Sequence, residues 1–126
     1  MPVTILRTEK RIKRALETYL KYQGWNSNIA WGTTHGIDIE AKQGQNRWII
    51  EVGGWQYLED DPANSFVSLL GKVLQRMDDA DARYSIALPD LEPFRRLWDR
   101  LPGLAKSRVR ITALFVNPEG TVTERS

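Results

Sequence analysis

Three features of this sequence predict an α/β domain, a mixed sheet with helices on both faces in the order α-β-β-β-α-β-α-β. Stretches with apolar residues at helical spacing are separated by strand-like apolar runs. Three strand candidates follow one another between Trp25 and Gly53. Beyond them helices and strands alternate, as they do when helices cover both faces of a sheet.

The first helix runs from Thr4 or Thr8 to Gln23. Ile5, Ile12, Ala15, Leu16, Tyr19 and Leu20 form its apolar face, either threonine can cap its start, and Gly24 supplies the stop. Glu9 lies about 50° from the centre of that face, toward the margin of the sheet, whereas Glu17 lies roughly 130° away. Trp25 to Trp31 read as the first strand, and a Gly-Thr-Thr-His-Gly turn leads into a hairpin. After Gly53-Gly54 and an acidic loop, a second helix spans Ala63 to Met77, with Phe66, Val67, Leu70, Val73, Leu74 and Met77 as its expected buried stripe. Tyr84 to Leu88 form a short strand ended by Pro89, Pro93 to Leu101 a third helix, and Val109 to Val116 the last strand. Trp25, Trp48 and Trp98 fall at core positions. Trp55 and Tyr57 are open to stacking on a base or to packing against a helix.

Length and composition fit one domain over residues 1–126, since 126 residues at 41% hydrophobic content bury a single core. No run approaches the ~18 to 20 apolar residues of a membrane helix, and the N-terminus carries no signal-peptide pattern. The absence of cysteine excludes disulfides and thiolate metal sites. A cytoplasmic protein with no membrane partner is expected. The net charge is only +2, but the basic residues are segregated. Arg7, Lys10, Arg11, Lys13, Arg14 and Lys21 crowd the first helix, and Arg95, Arg96, Arg100, Lys106, Arg108 and Arg110 form a second group. Such clusters suit a polyanion, or else form a solvated face.

The hairpin carries the chemistry. Gly36-Ile37-Asp38-Ile39-Glu40-Ala41-Lys42 and Arg47-Trp48-Ile49-Ile50-Glu51-Val52-Gly53 flank a loop expected over Gln43 to Asn46. Pairing Lys42 with Arg47 sets Glu40 opposite Ile49 and Asp38 opposite Glu51. Directly opposed residues have Cβ atoms roughly 4.5 to 5.5 Å apart, so two carboxylates there require a positive partner, and a divalent cation is the usual one. Glu51, flanked by Ile50 and Val52 in the most apolar strand, requires a partner most, whether metal, lysine or arginine, because an unpaired buried carboxylate is costly. Glu40 reads as an ion-pair partner of Lys42 or Arg47. His35 reads as a polar turn residue, and Glu59-Asp60-Asp61 as a helix-capping or DNA-repelling loop.

A helix bearing an acid, then Gly-Ile-Asp, about a dozen residues, Glu-Val-x-Gly, a helix and a strand resemble the PD-(D/E)XK nuclease superfamily, over roughly residues 5 to 90. The nearest branch is that of small Holliday-junction-resolvase and Mrr-type members. The resemblance implies a restriction-endonuclease-like fold and a Mg²⁺- or Mn²⁺-dependent DNA endonuclease. Asp38 and Glu51 would be metal ligands, and with Glu9 they would be the catalytic residues. It also implies a lysine at position 53, where this sequence has Gly53. In the hairpin register Gly53 opposes Gly36, so neither strand supplies a side chain there. Lys42, about 13 Å along the strand from Asp38, is a poor substitute. Lys72 and Gln75 lie on the polar side of the second helix, and in related families a residue of this helix leans over the site. With Lys10 and Arg14 they are the candidate nucleic-acid contacts.

Two functions follow from different classes. One is a metal-dependent DNA endonuclease whose missing lysine is replaced by another cation. The other is a catalytically inactive nuclease-fold module that binds nucleic acid or a protein partner. Dimers are common in the resembling branch, so a homodimer is an expectation as well.

Overall fold

A computed structural model of the chain describes residues 8–32, 36–53 and 61–126. The Thr4 start of the first helix, His35, Trp55, Tyr57, Glu59 and Asp60 lie outside the described residues. The elements are α1 (Thr8–Tyr22), β1 (Asn26–Ile29), β2 (Ile39–Gln43), β3 (Asn46–Val52), α2 (Pro62–Gln75), β4 (Arg83–Pro89), α3 (Glu92–Arg100), α4 (Gly103–Val109), β5 (Ile111–Val116) and β6 (Val122–Arg125). The predicted order holds through α3. The structure adds the short helix α4 before β5 and the short strand β6 after it.

Among the described residues six strands form one sheet whose spatial order follows the chain, β1-β2-β3-β4-β5-β6. β1, β2 and β3 form an antiparallel meander. β3, β4 and β5 are parallel, joined by crossovers through α2 and through α3 with α4, and β6 returns antiparallel on β5. The sheet is mixed, with helices on both faces.

The predicted hairpin register is observed: Lys42 pairs with Arg47, Glu40 with Ile49 and Ile39 with Ile50. The loop is tighter than expected, because Gln43 and Asn46 themselves pair and only Gly44 and Gln45 turn the chain. Gly44 takes a φ of 61°, which two-residue hairpin loops require and glycine adopts without strain.

Strand parity separates two cores. Ile39, Ala41, Trp48, Ile50 and Val52 pack under Ile12, Leu16 and Leu20 of α1. Ile49, Ile86, Leu88, Ala113 and Phe115 pack under Phe66, Leu69 and Val73 of α2 and Phe94 and Trp98 of α3. Glu51 shares the parity of Ile49 and therefore belongs to the α2 face. Trp25, Trp48 and Trp98 are buried as expected, the first two in an edge-to-face pair with ring centroids 5.5 Å apart.

Helix α2 starts where Asp61 caps it, its carboxylate accepting from the Ala63 amide at 3.1 Å, with a proline in its first turn. Its rotation differs from the predicted stripe. Phe66, Leu69 and Val73 are buried, while Val67 and Leu74 are 65% and 50% exposed. A Cβ on Gly53 would lie 2.8 Å from Leu69 Cδ2, so the glycine leaves the space into which Leu69 packs. This rotation brings the next positions of the same row, Lys72 and Arg76, to the end of β3.

Candidate functional site

Asp38 lies in a bend just before β2, and Glu51 is the second-last residue of β3. The two are tied by reciprocal backbone bonds. The Asp38 amide donates to Glu51 Oε2 at 3.0 Å, and the Val52 amide donates to Asp38 Oδ2 at 2.9 Å. Each carboxylate is thus oriented by the strand that carries the other. Both are buried, Glu51 completely and Asp38 to 6% exposure.

Three cations approach this pair from two helices. Lys13 of α1, itself buried, donates to the Ala30 carbonyl at 2.6 Å and places its ammonium 3.8 Å from Asp38 Oδ1 and 3.5 Å from Glu9 Oε1. Lys72 of α2 lies 3.6 Å from Asp38 Oδ2 and 4.0 Å from Glu51 Oε1. Arg76, one turn further, donates from Nη2 to the Gly36 carbonyl at 2.7 Å and holds Nε 3.6 Å from Glu51 Oε2. Carboxylate repulsion is therefore offset by lysine and arginine side chains, which with a metal ion are the partners the sequence leaves open for Glu51.

One acceptor remains open. Among the described residues Glu51 Oε1 is buried without a hydrogen-bond partner, and its nearest cation, Lys72, stands beyond hydrogen-bond distance. Burial pushes the Glu51 pKa above the ordinary glutamate range and the adjacent Asp38 charge adds to this, while the Asp38 amide, Arg76 and Lys72 pull it back. An orphaned carboxylate oxygen beside a second oriented carboxylate fits a hard divalent cation such as Mg²⁺ or Mn²⁺, which takes oxygen donors and keeps several waters. Asp38 and Glu51 are the residues that would hold it.

The other predicted positions are distributed as follows. Glu9 reaches the site only through Lys13, and among the described residues no group of three or more acids or histidines gathers. Lys72 joins the acids although its side chain is 47% exposed, so its place on the polar side of α2 does not leave it in open solvent. Gln75 is exposed on α2, and Lys10 and Arg14 are exposed on α1. Arg14 lines a groove of ≈ 560 Å³ with Arg11, Pro89, Leu91, Val116 and Pro118, at the carboxyl ends of β4 and β5. Glu40 pairs with Arg47, as the sequence led us to expect. From the sequence, Lys13 is only one of the basic residues of α1 and Arg76 does not stand out. Their signals were present in the four-residue spacings Glu9 to Lys13 and Lys72 to Arg76, which put each pair on one helix face.

No protein-family model matches the sequence, and no curated protein matches it. Among solved structures, the chain is similar to an XisH family protein from Nostoc punctiforme, with a TM-score of 0.63 at 16% identity, covering 92% of this chain and 99% of that one. It is likewise similar to an fdxN element excision controlling factor protein from Anabaena variabilis, with a TM-score of 0.63 at 17% identity, covering 90% and 96%. At these identities the likeness concerns the fold. The chain is an α/β domain of restriction-endonuclease-like architecture that shares its fold with these two proteins.

Proposed function

We infer that this chain is a PD-(D/E)XK-type, divalent-metal-dependent DNA endonuclease in which Lys72, carried on a helix, replaces the lysine absent at position 53. The observation that carries this reading is the position of Lys72 Nζ, 3.6 Å from Asp38 and 4.0 Å from Glu51. Asp38 and Glu51 hold the metal, which when bound supplies Lewis acidity toward a phosphodiester. Lys72, half exposed at the mouth of the site, orients the attacking water and stabilises charge developing on the phosphate. The water oxygen forms the new bond to phosphorus and gives up one proton to bulk water, the ester bond to the departing sugar oxygen breaks, and that oxygen takes up a proton from bulk water, so the sum is the consumption of one water. Lys13 and Arg76 keep the two acids in place. Glu9 acts through Lys13, a positioning role. DNA is the proposed partner, with Lys10 and Arg14 on its path, and one of the proteins of like fold is a factor controlling excision of the fdxN element.

A specific observation favours a second reading, a non-hydrolytic module that binds DNA or a protein. Lys13, Lys72 and Arg76 already balance Asp38, Glu51 and Glu9, so the cluster holds together without a metal. The two readings separate in one assay. Purified protein is incubated with Mg²⁺ or Mn²⁺ and plasmid, linear or branched DNA, beside the Asp38→Ala, Glu51→Ala and Lys72→Ala variants. Cleavage by the parent that all three variants lose supports the nuclease. Binding without cleavage on every substrate supports the module.

A further inference from the structure

The two lysines beside Asp38 are held in opposite ways. Lys13 is buried, its ammonium anchored on the Ala30 carbonyl at 2.6 Å and flanked by Glu9, so its charge is fixed in place. Lys72 contacts the same carboxylate through its other oxygen, but its side chain is 47% exposed and among the described residues its only ion-pair contacts are the 3.6 and 4.0 Å approaches to Asp38 and Glu51. Among these residues no hydrogen bond retains it, and Glu51 Oε1 beside it has no hydrogen-bond partner. A flexible, strongly hydrated ammonium at the mouth of a buried two-carboxylate site can be exchanged at little cost, whereas one buried on a carbonyl cannot.

We propose that Lys72 is an exchangeable counter-ion: it occupies the metal-free carboxylate pair, and an incoming divalent cation displaces it outward, toward the side from which a phosphate approaches. This rests on the metal-binding part of the function proposed above and adds an order of events to it. In the metal-free protein the lysine neutralises the acids. In the metal-bound protein it is released for substrate. Metal and Lys72 thus compete for Asp38 and Glu51, so removing the lysine has opposite effects on binding and on turnover.

The test is calorimetric titration of the metal-free parent, Lys72→Met and Lys72→Gln with MgCl₂ and MnCl₂, with DNA cleavage measured on the same samples. A unit positive charge removed from about 5 Å of a divalent ion in a water-like dielectric corresponds to about tenfold tighter binding, which is the expected result for both variants. Their cleavage is expected to fall at least ~10²-fold. In the parent, the Lys72 side-chain NMR resonances should move on metal addition while those of Lys13 stay put. Unchanged or weaker metal binding in both variants, or a Lys72 signal indifferent to bound metal, overturns the proposal. Tighter binding in the variants with no cleavage by the parent supports the counter-ion and refutes the nuclease. A parent that cleaves while its variants bind metal no better does the reverse. Metal binding by none of the three refutes both. Lys13→Met serves as the contrast: it should lower the thermal midpoint more than the half-exposed Lys72 variants do.

Discussion

The hairpin β2–β3 carries a charge cluster at each end, and the two differ in how their ions meet. Near the turn, Arg47 sits between Glu40 and Asp79 and hydrogen-bonds to both. All three side chains there remain 26% to 35% exposed, so water completes their solvation. At the open end, Asp38 and Glu51 lie against Lys13, Lys72 and Arg76 at 3.6 to 4.0 Å, buried, with one carboxylate oxygen unpaired. Ions joined by hydrogen bonds and reached by water make a structural pair of small net worth. Ions gathered in a buried pocket and left incompletely bonded retain the capacity to bind something else.

The strongest way to break this contrast is to remove acids from each end. Asp38→Ala and Glu51→Ala should each reduce metal-dependent DNA cleavage by ~10³-fold or more, while Glu40→Ala should leave it within about twofold. Initial rates on supercoiled plasmid measure all three. Equal losses at both ends would abolish the distinction.

A second test asks whether position 53 can accept the lysine it lacks. Because a Cβ there meets Leu69 at 2.8 Å, Gly53→Lys should cost about 1 to 3 kcal/mol of stability by overpacking rather than restore a site. Denaturant unfolding measures the cost. A stable variant with higher activity would contradict the steric account.

A third concerns the charge on Glu51. Its pKa is raised in the folded protein, so folding takes up protons between the unfolded and folded values, and stability falls as pH rises through that window. The penalty is fully present above the folded pKa. Glu51→Gln should therefore unfold at a higher temperature than the metal-free parent at neutral pH, and the gap should close as pH falls below the ordinary glutamate range. Thermal melts across pH follow it. The smallest effect is expected at the other end of the hairpin, where Arg47→Met should change stability by less than about 1 kcal/mol and metal affinity not at all.

The hairpin was legible because its information is local. Ile39, Ala41, Trp48, Ile50 and Val52 each fix the face of their strand, and a one-residue slip would expose every one of them. The acid pair came with the register. The rotation of α2 was not legible, because Val67, Leu70 and Leu74 are as apolar as Leu69 and compete with it for the buried side. What is buried, Phe66, Leu69 and Val73, follows from a tertiary fit, with Leu69 packed against Gly53, visible only once strand and helix are together. Lys72 and Arg76 became site residues by the same rotation. Helix α4 buries no side chain and β6 is four residues of mixed exposure, so neither offers a periodic apolar pattern to read.

The two outer strands of the sheet have a further consequence, in how the protein behaves at high concentration. β1 and β6 are four residues each. The first presents Asn26, Ser27 and Asn28, and the second carries Glu124 and Arg125, paired with Arg83 at 2.8 Å and with Asp99 at 3.0 Å. Short edges bearing polar and ionic side chains make poor templates for a further strand, so β1 and β6 guard the sheet against growing from one molecule into the next.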